Sequence, residues 1–151
     1  MAQARRPAGV SGPFPAIRPA TAADVDGILD LWRRAEAHPS KTDTPHDLGR
    51  VIAAPHAEVL LGVVADGLIV GSVVATFDGW RGNVYRMAVD PTQRRRGLAR
   101  RLAAAAEDWL RAAGAVRLSA LVEGDRETAQ AFWAAVGFEH YEGMRRYSKN
   151  L

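Results

Sequence analysis

The run Val89-Asp90-Pro91-Thr92-Gln93-Arg94-Arg95-Arg96-Gly97-Leu98-Ala99-Arg100 limits the folds open to this chain more than any other segment. A β-rich stretch, Asn83 to Val89, stops at a proline, and a basic loop with one glycine opens a long helical pattern. The first N–H groups of such a helix lack intrahelical partners and lie at its positive end, so a phosphate placed there is hydrogen-bonded and favoured by charge. Gly97 has no Cβ to hold a ligand off the backbone, and Ala99 is nearly as small. Arg94, Arg95, Arg96 and Arg100 can neutralise a bound anion. The same residues also read as an exposed basic loop before a surface helix, or as an arginine patch for nucleic acid.

The 151 residues, 48% of them hydrophobic, suffice for one domain and are too few for two ordinary ones. No apolar run approaches a membrane span, and Met1 to Pro13, rich in Pro, Gly and Ala without periodicity, reads as a loose tail ahead of a domain over residues 14–151. Cysteine is absent, which excludes thiol catalysis and disulfides and fits a cytoplasmic protein. The formal net charge is only +3, with much of the arginine excess in Arg94 to Arg101, which favours a local anionic ligand over an extended nucleic-acid track.

Periodicity gives the order of elements. Phe14 to Arg18 reads as a short strand; Thr21 as the N-cap of a helix carrying Val25, Ile28, Leu29, Trp32 and Ala35; and Leu48, Val51 and Ile52 as a short helix ending before Pro55. Glu58 to Ala65 and Leu68 to Phe77 form a hairpin through Asp66-Gly67, followed by the strand Asn83 to Val89. A helix from about Leu98 to Gly114 separates that strand from Val116 to Val122, so a parallel crossover is the natural pairing. A further helix carries Ala129, Phe132, Trp133 and Val136, stops at Gly137, and is followed by strand-like Phe138 to Tyr141 and Met144 to Ser148. The expected fold is α/β, with a mixed, mostly antiparallel central sheet and helices on both faces.

Met87-Ala88-Val89-Asp90-Pro91, the Arg94-x-x-Gly97-x-Ala99 spacing and Ala131-Phe132-Trp133-Ala134-Ala135-Val136-Gly137-Phe138 resemble the GNAT superfamily of N-acetyltransferases, as does the element order over nearly all of Pro15 to Leu151. Asp78-Gly79-Trp80-Arg81-Gly82 is similar to small bacterial members of that superfamily. The resemblance implies acetyl-CoA as cosubstrate and no metal. It implies that the strand carrying Met87, Ala88 and Val89 splays from its parallel neighbour to admit the pantetheine arm. It places pyrophosphate against Arg94, Arg95, Arg96, Gly97, Leu98, Ala99 and Arg100. The implied reaction is direct attack of a primary amine, on a small molecule or a peptide, within a ternary complex; neither nucleic acid nor membrane takes part, and a homodimer is compatible with it.

The proton-handling positions depart from the family pattern. Trp133 replaces the tyrosine that can protonate the leaving thiolate, Asn83 stands where some members carry a basic glutamate, and Leu121 occupies another position where a carboxylate or amide occurs. Tyr85 and Glu123 are the substitutes as catalytic acid and base, against the plainer readings of a packed tyrosine and a solvated loop carboxylate. Asp43, Asp47, Asp78 and Glu123 could attract a cationic amine, and Trp80 could wall a pocket. His46 and His56 lack companions at zinc-like spacing and read as loop histidines. Because of those departures, a non-catalytic acyl-CoA-binding or sensing module stands as the alternative, with a basic nucleic-acid-binding domain behind it.

Overall fold

A computed structural model describes residues 13–122 and 127–151. Five strands pair in the order β1 (Ala16–Pro19), β2 (Ala57–Val63), β3 (Ile69–Phe77), β4 (Gly82–Val89) and β5 (Leu118–Ala120). The first four run antiparallel, and β4 with β5 is parallel, as the intervening helix requires. Four helices cover the sheet: α1 (Val25–Arg34), α2 (Pro45–Ala53), α3 (Leu98–Ala113) and α4 (Glu127–Ala135).

Helix starts follow local chemistry. The Asp24 carboxylate takes the Thr21 backbone N–H at 2.7 Å, closing the turn that leads into α1, and the Thr44 hydroxyl accepts from the Asp47 N–H at the start of α2. Alternation along the strands sends side chains to two separate cores. Ile28, Leu31, Trp32 and Leu48 pack with Val59, Leu61 and Val74 on one face. On the other, Leu98, Leu102, Ala106 and Leu110 form a stripe at helical spacing against Leu60, Val70, Val73 and Val84. Each fully buried leucine in that stripe contributes about 1.5–3 kcal/mol.

The seat of α3 depends on two glycines. Gly62 faces Gly71 across the β2–β3 ladder, and an ideal Cβ on either would come within 2.9 Å or less of a Leu98 methyl. The paired glycines form a notch that lets the first residue of α3 lie close to the sheet.

Four expectations are corrected. Phe14 lies outside β1, 64% exposed, and β5 is three residues long in place of Val116 to Val122, with Val116 95% exposed. Phe138 to Tyr141 and Met144 to Ser148 form no strand, because alternating residues become a strand only beside a partner and the short β5 gives them none. His46 belongs to α2, not to a loop.

Candidate active site

The candidate site lies where β4 hands over to α3. On one side β4 pairs with β3, but the ladder slips. Ser72 opposes Ala88 and Val74 opposes Tyr85, so Val73 alone stands against Arg86 and Met87. This is a β-bulge, and its extra residue Arg86 is left-handed at φ 53°. The bulge explains why consecutive residues share a face: Tyr85 packs into the α1–α2 core and the Arg86 guanidinium lies 4.8 Å over the Trp32 ring of the same core, while Met87 and Val89 pack on the α3 side. On the other side, the parallel ladder with β5 covers only Gly82 to Val84. From Tyr85 to Val89 that edge of β4 has no strand beside it among the described residues, which is the geometry of a splayed pair.

Beyond Val89 the chain makes a compact loop. The Asp90 carboxylate, on a residue 5% exposed, accepts from the Thr92 N–H and hydroxyl at 2.9 and 2.6 Å and is paired with Arg34 of α1. A single turn of 3-10 helix, Pro91–Gln93, follows. Left-handed Arg95 (φ 60°) and Gly97 (φ 81°) then turn the chain into α3. Gly97 occupies the N-cap position, so no side chain caps the helix, and the first bond across that boundary is Arg101 N–H to the Gly97 carbonyl at 3.1 Å. The orphan N–H groups of the first turn, those of Leu98, Ala99 and Arg100, are therefore left for an outside acceptor. A Cβ at Gly97 would meet nothing within 4 Å, so the space over this helix end is open.

The arginines divide into two kinds. Arg94 turns back to donate to the Val89 carbonyl at 3.3 Å and to Ala35 of α1 at 3.2 Å; Arg96 donates to Gln93 Oε1 at 2.8 Å and lies over the Phe14 ring. These two hold the loop to its surroundings, a role the sequence did not disclose. Arg95 and Arg100 are exposed and have no ion-pair partner among the described residues. Arg100 heads a groove of about 370 Å³ between α3 and the end of α4, continued by Ala103, Ala104 and Glu107 on one wall and Ala135 to Phe138 on the other.

Tyr85 is half-buried; burial pushes its phenol up, with a hydrogen bond involving Thr76 acting the other way. It therefore stays protonated at neutral pH. Trp133 is 7% exposed and clamped edge-on between Phe132 (5.2 Å) and Phe138 (4.9 Å), so it anchors α4 in the core. Glu123 lies outside the described residues. Three carboxylates that could have attracted a cation are engaged. Asp43 pairs with Arg86, Asp47 with the Thr44 hydroxyl, and the Asp78 oxygen takes the Arg81 and Trp80 N–H groups, which hold its carboxyl below the usual range. Trp80 is 70% exposed with Arg81 stacked at 4.2 Å, beside but not lining a groove of about 700 Å³ near His56, Phe77 and Trp109.

The last parallel pair of the sheet thus parts beside a helix start capped only by glycine, and comparison with known proteins places this arrangement in a family. The acetyltransferase (GNAT) family model matches residues 25–138, and the chain belongs to that family. It is an acyltransferase. Acetyltransferase SG1711 of Sodalis glossinidius is 28% identical over 128 residues, covering 85% of this chain and 89% of its own. Among solved structures, aminoglycoside 6'-N-acetyltransferase AAC(6')-IG of Acinetobacter haemolyticus superposes with TM-score 0.74 at 22% identity, over 90% of this chain and 99% of that one. AAC(6')-Iy, bound to a bisubstrate analogue built on CoA, gives TM-score 0.72 at 23% identity over 90% and 98%. Family membership removes the non-catalytic sensing module as the reading of the whole chain. No helix among the described residues is long and apolar enough to cross a membrane.

Proposed function

We propose that this chain transfers the acetyl group of acetyl-CoA to a primary amine by direct attack in a ternary complex. The observation that carries the reading is the juxtaposition of the uncapped N-terminus of α3 with the bulged, one-sided end of β4. The pyrophosphate oxygens accept from the N–H groups of Leu98, Ala99 and Arg100, in the open space over Gly97, with Arg95 and Arg100 supplying positive charge. The pantetheine arm runs along the free edge of Met87, Ala88 and Val89, whose main-chain groups pair with its amides. A strand N–H there stabilises charge on the thioester oxygen as the tetrahedral intermediate forms.

The amine must arrive unprotonated, and an alkylamine has an ordinary pKa of about 10.4, so its proton leaves to water or a nearby base before attack. Nitrogen then bonds to the thioester carbon, the C–S bond breaks and the thiolate takes a proton, while the nitrogen, cationic in the intermediate, releases one proton to leave the neutral amide. Tyr85 is the acid on hand: its phenol is protonated at neutral pH, with burial pushing it further up, whereas the Trp133 indole N–H is far too weak an acid to protonate a thiolate. Most of the acceleration comes from holding amine and thioester together. Calorimetry with CoA and a thiol-release assay over small amines, aminoglycosides and peptide N-termini test the reading. Saturable CoA binding with turnover of at least one amine is expected. Failure to bind CoA would sink it, and steeply salt-dependent binding of DNA in its place would favour the nucleic-acid reading.

A further inference from the structure

Ser72 is the one fully buried polar residue at the point where the β3–β4 ladder slips. Its Oγ accepts the Trp32 indole N–H at 2.9 Å and donates to the Arg86 carbonyl at 3.1 Å. A bulge withdraws a main-chain group from the ladder, and a buried carbonyl left without a donor is destabilising. Ser72 supplies that donor from directly across the sheet. Arg86 is then held from both ends: its carbonyl by Ser72, its guanidinium by the His38 carbonyl at 2.9 Å, Asp43 and the Trp32 ring. A non-glycine residue at positive φ persists only when its surroundings fix it in this way.

We infer that Ser72 is a positioning residue for acetyl transfer: it fixes the bulge at Arg86 and thereby the direction of the main chain of Met87 to Val89 along which the thioester lies. This rests on the proposed function. The hydroxyl touches no substrate and acts only through the carbonyl of Arg86. An alanine at 72 would leave the hydrophobic packing of β3 nearly intact but orphan two groups in a protein where no buried side-chain polar atom among the described residues lacks a partner. The strand would regain its lowest cost by relaxing the bulge.

Two variants separate positioning from stability. Ser72→Ala removes the bond to Arg86; Trp32→Phe removes the bond into Ser72 and puts a smaller ring under the Arg86 guanidinium, but leaves Ser72 on the carbonyl. Both are compared with the parent at a temperature where all are folded, by steady-state kinetics in acetyl-CoA and by amide NMR. Ser72→Ala should lower kcat/KM for acetyl-CoA by about ten- to a hundredfold, the scale of a misplacement near 1 Å, and move the Arg86 to Val89 amide resonances. Trp32→Phe should lose less than about threefold even if its melting temperature falls as far. Parental kinetics and unmoved amides in Ser72→Ala would overturn the inference. If Ser72→Ala does not fold, Ser72→Cys, which keeps the volume but donates weakly, should show a smaller loss in the same direction, and parental values there would overturn it equally. If the parent itself neither binds nor consumes acetyl-CoA, the proposed function fails, and the amide shifts alone still decide whether Ser72 sets the bulge.

Discussion

Leu98 sits on Gly71: a Cβ added to that glycine would come within 2.9 Å of Leu98 Cδ2 and equally close to Leu102 Cδ1. The contact joins the uncapped start of α3 to the middle of β3. Gly71→Ala should therefore cost about 1–3 kcal/mol by overpacking. Gly49→Ala, inside α2 with open space where its Cβ would lie, should gain about 0.5–1 kcal/mol. Urea unfolding of the two variants measures both, and a Gly71→Ala protein as stable as the parent would refute the close seating of α3.

Gly97→Glu should lose CoA binding while keeping its fold. The new side chain enters the open space over α3 and adds like charge to the phosphates. The left-handed backbone at 97 costs a substituted residue roughly 1–2 kcal/mol, and Gly67, at φ 88° in the β2–β3 turn with equally open surroundings, is the matched control. Gly67→Glu should share the stability loss and bind CoA normally. Parental affinity in Gly97→Glu would remove this helix end from the site.

The sequence alone treats the four arginines alike, and the structure separates them. Arg95→Ala and Arg100→Ala should each raise the Michaelis constant for acetyl-CoA by about tenfold, the worth of a well-made phosphate contact, with little change for the amine. Arg94→Ala should chiefly lower stability, by about 1 kcal/mol, because it ties Val89 to the end of α1. Melting curves alongside the kinetics would distinguish the two classes, and an Arg94→Ala variant of unchanged stability would contradict the assignment.

Tyr85→Phe should lower turnover by about 10²-fold or less, since water can recover part of a positioned acid's contribution. Raised by burial, the phenol ionises later in the folded chain than in the unfolded one, so its share of stability is present up to about pH 10 and fades above it. The parent should consequently lose stability above pH 10 faster than Tyr85→Phe. A variant reduced to the uncatalysed rate with CoA binding intact would make Tyr85 indispensable and the distributed mechanism wrong.

Much of this architecture is legible in the sequence because it is local. Asp66-Gly67 specifies its hairpin, Leu98 to Leu110 its buried stripe, and Gly97 the turn into the start of α3. What escapes is decided between residues far apart. Ser72 sits in an otherwise apolar strand and gains meaning only from Trp32 and Arg86, which lie 40 and 14 positions away. Gly62 and Gly71 become a notch only once paired. The register slip leaves no mark in Tyr85-Arg86-Met87, and Met144 to Ser148 carries a strand pattern with nothing beside it to pair.

Asp24 offers a pH test of the chain's N-terminal half. Arg18 meets its carboxylate with two bonds of 2.8 Å, and that guanidinium holds the carboxyl well below the usual range. The stability it contributes is complete above about pH 4 and is lost as pH falls through the depressed folded value. With Arg18 42% exposed, the contribution is about 1–2 kcal/mol, toward the low end for a charged pair. Asp24→Asn should lose that amount at pH 7, and the gap to the parent should narrow steadily as pH falls from about 4 toward 2 in thermal melts. A constant gap across that window would exclude the ion pair as the cause.

The sheet keeps its two cores from sharing a single buried residue. Free energies of substitutions on opposite faces, such as Leu31→Ala under α1 and Leu102→Ala under α3, should then simply add. For a lineage under selection this separation has a use: the α1–α2 side can drift and repack while the side that seats α3 remains unaltered. Arg34 of α1, paired with Asp90 in the loop that leads into α3, links the two sides, and there change on one side would be felt on the other.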